Sequence, residues 1–291
     1  MSEHNGATPL VASQHAAVRT MQCAGHRLDL SRPALMGILN VTPDSFSDGG
    51  LHFAIDAALA HGRRLAEEGA DIIDVGGEST RPGAAPVSPE EELRRVLPVV
   101  RALAEEGLLV SIDTRHTATM RACLKAGAAM VNDVNGLRAE GALAACADSD
   151  AAVCLMHMQG DPLTMQQAPS YTDVVLEVGA FLAARAEQAR AAGIGPERLC
   201  LDPGFGFGKT VAHNLALLRQ LPLLAALGYP LLIGLSRKSL LGAMTGKGAD
   251  DRVHASVAGA LLARQRGAAI LRVHDLAATR NALAVLAAVE K

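Results

Sequence analysis

The sequence predicts an α/β fold, a TIM (β/α)8 barrel in a single domain with a short N-terminal extension. Three observations carry that prediction. After Pro33, eight short apolar runs alternate with Ala/Leu/Glu/Arg segments of helical spacing. The runs are continuously apolar, as strands of a parallel sheet covered on both faces must be. The polar or glycine residue ending each run recurs on average about every 33 residues, the length of one strand–helix unit. A doubly wound open sheet has the same alternation, but it concentrates ligand groups at one switch point. Here most strand ends carry polar side chains, the pattern of a barrel mouth.

Residues 1–21 are small and polar and are expected to form a flexible tail, with 22–291 as the barrel domain. His26 to Leu30 alternates polar and apolar and reads as a short edge strand before Pro33. The barrel strands are read at 35–39, 72–75, 108–112, 128–131, 152–156, 199–201, 231–235 and 269–273. They end at Asn40, Gly76, Asp113, Asp133, His157, Asp202, Ser236 and His274. Ser88-Pro89-Glu90-Glu91-Glu92 reads as an N-cap serine, a first-turn proline and acids at the positive end of a helix. Gly69, Gly107, Gly127, Gly193 and Gly228 stand where helices should stop.

Composition narrows the function. The 291 residues are 49% hydrophobic, enough for a large core, and the net charge of −3 gives no electrostatic footprint for nucleic acid. Aromatics make up 2%, with no Trp, so no stacking platform for single strands is available. Cys23, Cys123, Cys146, Cys154 and Cys200 are odd in number and scattered, which fits small core residues in a reducing compartment better than disulfides or zinc. No run reaches the ~18 apolar residues of a membrane span, and residues 1–20 lack the layout of a secretory signal. The expectation is a cytoplasmic enzyme with neither nucleic-acid nor membrane partners.

The chemistry is expected at the strand ends. The loops at 37–50 and 74–83 are long, rich in Gly, Ser and Pro, and read as mobile lids. Asn40 and Arg81 lie at these strand ends, where an amide and a guanidinium are costly unless they bind something. Asp113, Asn132 and Asp202 should point inward from three strands. Two carboxylates and a carboxamide match a flat heterocycle with an N–C–N edge. A hard-metal cage is the competing reading, and the nearby basic groups argue against it. Asp133, Asn135 and Asp148 read as caps and turns. The segment from Gly204 to Thr210 resembles a phosphate loop, but the first glycine of that motif falls on Pro203. Ser236, Lys238, Arg272 and His274, after strands seven and eight, read as an anion cradle. His157, between Met156 and Met158, reads as a core histidine.

Asn40-Val41-Thr42-Pro43-Asp44-Ser45-Phe46-Ser47-Asp48-Gly49-Gly50 and Gly76-Gly77-Glu78-Ser79-Thr80-Arg81-Pro82-Gly83 closely resemble the dihydropteroate synthase family. So do Asp202-Pro203-Gly204-Phe205-Gly206-Phe207-Gly208-Lys209, Ser236-Arg237-Lys238-Ser239 and Arg272-Val273-His274-Asp275. The resemblance runs from about Pro33 to the C-terminus, with the motifs in order. It implies a transferase of folate biosynthesis, a target of sulfonamides, that condenses 6-hydroxymethyl-7,8-dihydropterin diphosphate with 4-aminobenzoate. It implies that Asp202 holds the pterin 2-amino and N3 edge, Asn132 the 2-amino/N1 side, and Asp113 the N8 side. Lys238 would reach the O4/N5 edge and Arg272 would stack on the ring, with Arg272, His274 and Arg81 binding phosphates. Asn40 would help hold Mg²⁺ on the diphosphate, and Asp48 would reach in as the first loop closes. Phe46, Thr80, Arg81, Pro82, Phe207, Ser236 and Lys238 would line the aminobenzoate pocket. Catalytic roles would fall to Asp113, Lys238, Arg272 and Asp48. Family members are commonly homodimers, and the apolar helices near the C-terminus are candidates for that face. Two rivals are a pterin-binding methyltransferase barrel, which needs no diphosphate or aminobenzoate site, and a non-catalytic pterin-binding paralogue. The latter would be expected to lose Asn40, Asp48 or Arg81, all of which are present.

Overall fold

The computed structural model describes residues 18–42, 50–79 and 83–290, the side chains of 50–53 excepted. Two strands, β1 (Thr20–Cys23) and β2 (His26–Asp29), pair as an antiparallel hairpin. Eight parallel strands then close into a barrel: β3 (Ala34–Asn40), β4 (Ile72–Gly76), β5 (Val110–Asp113), β6 (Met130–Asp133), β7 (Ala152–Met156), β8 (Leu199–Asp202), β9 (Leu231–Ile233) and β10 (Ala268–Val273). Strand β10 pairs with β3 and completes the ring. Every apolar run read as a barrel strand is one. Strand β9 is shorter than its run because Gly234 and Leu235 leave the ladder for a turn in which Arg237 adopts φ 57°.

The helices between the strands are α1 (Gly50–Glu67), α2 (Pro89–Glu105), α3 (Thr117–Lys125), α4 (Ala142–Ala147), α5 (Val174–Ala191), α6 (Val211–Arg219), α7 (Leu221–Ala225), α8 (Ser239–Thr245), α9 (Val253–Arg264) and α10 (Leu276–Val289). Their boundaries follow the local chemistry. Ser88 caps α2, its Oγ accepting from the Glu91 N–H at 3.3 Å, with Pro89 next and three glutamates in the first turn. The five glycines read as helix stops all take positive φ, as at Gly69 (95°) and Gly127 (103°).

Alternation along the strands separates two cores. One set of side chains (Leu35, Leu39, Ile73, Val75, Val110, Ile112, Val153, Leu201) packs outward against the helices. The other (Met36, Ile72, Met130, Cys154, Cys200, Leu232, Ile270) fills the barrel interior near the strand starts. The hairpin closes that floor: Met21, Cys23, Leu28 and Leu30 are buried in the same interior cluster. The segment at His26–Asp29 is therefore an edge strand as expected, in a two-stranded sheet separate from the barrel. Thr20 and Met21, read as tail, lie in β1 because Met21, paired with Leu28, is needed in the floor. The rest of the expected tail lies outside the described residues. With the floor apolar, the polar interior positions stand at the C-terminal ends of the strands.

Candidate active site at the barrel mouth

Register places four mouth residues side by side: Asn40 pairs with Gly76, Gly76 with Asp113, and Asp113 with Asn132. Asp202 ends β8 beside Met156, and Arg272 lies in β10, one residue before its end. These side chains meet inside the mouth. The Arg272 Nη2 donates to Asp113 Oδ2 at 2.7 Å and its Nε to Asp74 Oδ2 at 2.6 Å. Asn132 Nδ2 donates to the same Asp74 oxygen at 3.1 Å. Asp202 Oδ1 accepts from the Gly204 N–H at 2.7 Å. Lys238 Nζ donates to the Phe205 carbonyl at 2.5 Å and stands 4.6 Å from the centroid of the Phe207 ring.

Burial sets the electrostatics. Desolvation pushes Asp113 up to about 7 against the pull of the Arg272 guanidinium, with Asp74 and Glu92 adding to the rise. Desolvation also raises Asp202, opposed mainly by Lys238. It lowers the Lys238 amine to about 8, with Asp202 resisting. Burial works against the Arg272 charge too, yet Asp74 and Asp113 more than offset it and hold that charge firmly. The mouth is thus a dry arrangement of two cations and three carboxylates, fit to bind a polar planar ring and to stabilise charge that develops on it.

The expected anion cradle divides in two. Ser236 Oγ accepts from the His274 backbone N–H at 3.2 Å and meets its ring Nδ1 at 3.0 Å, whereas Arg272 and Lys238 turn into the acidic pocket. Arg237 is engaged elsewhere, by Asp275 at 2.6 Å. Phe207 packs on Val134, Met156, Met158 and Met165. Phe46, Asp48, Thr80, Arg81 and Pro82 lie outside the described residues.

Residues read as structural behave so. Asp133 accepts from the Asn135 and Leu137 N–H groups, each at 2.7 Å. Asp148 ends α4 and pairs with Arg121 at 3.7 Å. All five cysteines are free and buried. His157 is buried against Phe181, and burial lowers it to about 3. The segment from Gly204 to Lys209 is no phosphate loop. Lys209 Nζ donates inward to the Gly204 and Phe207 carbonyls, each at 2.9 Å, and meets His157 Nδ1 at 3.0 Å. Gly204, at φ 69°, lies against the His157 carbonyl, where a Cβ would come within 1.9 Å.

Three features escaped the sequence reading. Asp74 is the shared partner of Arg272 and Asn132, and a charged residue within an apolar strand was the available signal. Lys209 anchors its own loop, which only the fold reveals. Just after β4, Arg115 binds both oxygens of Glu78 at 2.9 Å, while Glu92 Oε2 accepts from Thr114 at 2.7 Å and meets His116 Nδ1 at 3.1 Å. Glu78, Glu92 and His116 bring potential metal-ligand atoms within 4.8 Å of one another, yet these contacts already engage all three as a scaffold linking β4, α2 and β5.

Comparison with known proteins agrees with this geometry. Residues 36–274 match the family described as pterin binding enzyme. The chain is 54% identical over 267 residues to the dihydropteroate synthase of Neisseria meningitidis serogroup C, covering 90% of this chain and 94% of the relative. A solved dihydropteroate synthase of Xanthomonas albilineans with 4-aminobenzoic acid is 56% identical, with a TM-score of 0.88 over 94% of this chain and 98% of the other. A second from that organism, in complex with 7,8-dihydropteroate, is 53% identical, with a TM-score of 0.85 over 93% and 98%.

Proposed function

The chain belongs to the dihydropteroate synthase family, and from that premise we propose how its barrel mouth performs the reaction. The substrates are 6-hydroxymethyl-7,8-dihydropterin diphosphate and 4-aminobenzoate, and the products are 7,8-dihydropteroate and diphosphate. The observation that carries the reading is the convergence of Asp113, Asn132, Asp202, Lys238 and Arg272 on one mouth, with Arg272 bridging two carboxylates.

In this reading Asp202 accepts from the pterin 2-amino and N3 groups, and Asn132 meets the 2-amino/N1 side. Lys238 reaches the O4/N5 edge and Arg272 covers the ring. The bond between the methylene carbon and the diphosphate oxygen breaks first, and its electron pair leaves with diphosphate. Positive charge then spreads into the dihydropterin, where Asp113 stabilises it beside N8. The neutral aminobenzoate nitrogen attacks the methylene carbon, forms the C–N bond and releases a proton. Phe207, Ser236 and Lys238 line the aminobenzoate side, together with Phe46, Thr80, Arg81 and Pro82. His274, Arg272 and Arg81 take the phosphates, and Asp48 completes the site from the first loop.

Mg²⁺ fits this site. The Asn40 carboxamide, at the end of β3, makes no hydrogen bond with any described residue, and a neutral oxygen donor beside phosphate oxygens suits a cation that keeps most of its waters. Asn40 would help hold it, and the ion would supply charge neutralisation on the leaving diphosphate. A homodimer through α9 and α10 accounts for Leu262, Val285 and Val289, which expose 42%, 67% and 80% of their surface. A cytoplasmic location accords with five free, buried cysteines.

The deciding experiment incubates purified protein with both substrates and Mg²⁺ and follows dihydropteroate by mass spectrometry. Product is expected. Pterin binding without product, under conditions where an authentic synthase turns over, would refute the proposed reaction. A solved Yersinia pestis dihydropteroate synthase is in complex with a sulfonamide drug, so inhibition of product formation by sulfonamides is the companion test.

A further inference from the structure

Asp74 lies inside β4, two residues before Gly76, and is wholly buried. Its Oδ2 accepts from Arg272 on β10 at 2.6 Å and from Asn132 on β6 at 3.1 Å. Those strands stand two positions away on either side of β4, so the carboxylate ties residues together through the barrel interior, not along a ladder. Its Oδ1 finds no donor among the described residues. A buried acceptor left in that state is costly, which makes Asp74 a poor choice for packing alone.

Resting on the site reading above, in which Asn132 meets the 2-amino/N1 side of the pterin, we propose that Asp74 is a positioning residue that sets ring specificity by fixing which way the Asn132 carboxamide is turned. A carboxamide presents NH₂ on one side and C=O on the other. With one N–H given to Asp74, the carbonyl must face away, because the reversed amide would set its oxygen against a carboxylate in a dry interior. Toward the ligand, Asn132 then offers its C=O and its second N–H in a fixed order. That order matches a donor at the 2-amino group and an acceptor at N1. A 2,4-dioxo ring reverses both, with an acceptor at position 2 and a donor at N1. An unrestrained Asn132 turns over to meet it, and one held by Asp74 does not. The same oxygen also fixes the Arg272 guanidinium plane, but that contact serves either ring equally and does not discriminate between them.

The test compares the affinity of 6-hydroxymethylpterin with that of its 2,4-dioxo analogue by calorimetry, in the wild type, Asp74→Ala and Asp74→Asn. The wild type is expected to prefer the 2-amino ring. Asp74→Ala should shrink that preference about tenfold or more, and Asp74→Asn, which keeps an oxygen acceptor, should recover part of it. If Asp74 were merely structural, both ligands would weaken together and the ratio would stand, which overturns the inference while leaving the site reading intact. A wild type with no preference overturns the site reading, and the inference with it. Should the variants fail to fold, side-chain amide hydrogen exchange in the wild type decides. One slowly exchanging Asn132 proton supports the restraint, and two protons exchanging at the free-amide rate overturn it.

Discussion

Arg272 and Asp113 meet at 2.7 Å across the barrel mouth, although two strands stand between β10 and β5, which carry them. The pairing bears on the proposed mechanism, in which Asp113 stabilises positive charge on the reacting ring. A carboxylate already balanced by a fixed guanidinium stays in place before substrate arrives, so little reorganisation is needed when the C–O bond breaks. Asp113→Asn keeps the shape and loses the charge. Turnover is therefore expected to fall by about 10² to 10³, with pterin affinity changed by less than about tenfold. Single-turnover kinetics beside calorimetry of a pterin ligand checks the split. Wild-type turnover in the variant would remove Asp113 from the chemistry.

Asp113, Asn132 and Asp202 were legible in the sequence because strand ends in a barrel point at one mouth, and apolar runs broken by such residues mark the ends. The hairpin partner at Thr20–Cys23 was not, since a four-residue strand has too short a pattern to distinguish it from tail. Asp74 was not singled out. Its role depends on which residues face it from β6 and β10, and this is set by barrel closure and register, not by local pattern. The split of Ser236 and His274 from Lys238 and Arg272 has the same origin. Sequence order puts all four near the last two strands, while the direction of each side chain is chosen by its charged neighbours.

Burial that lowers the Lys238 amine to about 8 gives the reaction an alkaline limit. Below that value the amine carries its charge, and the charge is lost as pH rises through it. With Lys238 needed as a cation at the O4/N5 edge, kcat/KM should fall above about pH 8, approaching tenfold per unit. An arginine stays charged throughout this range. Lys238→Arg is expected to start from a lower rate and to show no such limb between pH 8 and about 10. A wild-type profile flat to that limit would mean that Lys238 acts without its charge.

The barrel floor offers a stability test separate from catalysis. Met21 is 1% exposed and reaches the interior cluster from the hairpin. Met21→Ala leaves a cavity that closed strands cannot collapse to fill, and should cost about 2 to 4 kcal/mol. Denaturant unfolding measures the loss, while the KM for both substrates should change little because the mouth lies at the other end of the strands. A cost below about 0.5 kcal/mol would mean that the hairpin rests on the barrel without sealing it.

Asn40 gives the metal proposal its own handle. Chelation should abolish product, since diphosphate leaves poorly while its charge is unbalanced, and added Mg²⁺ should restore it. That result alone would not locate the ion. Asn40→Ala removes one neutral oxygen donor and leaves the pterin pocket of Asp113, Asn132 and Asp202 untouched. The Mg²⁺ concentration for half-maximal activity should therefore rise about tenfold, while the affinity for 6-hydroxymethylpterin, which has no phosphates, should stay within about twofold. If both quantities moved together, Asn40 would be shaping the pocket and not holding the ion. An unchanged Mg²⁺ requirement would place the cation on oxygens other than that of Asn40.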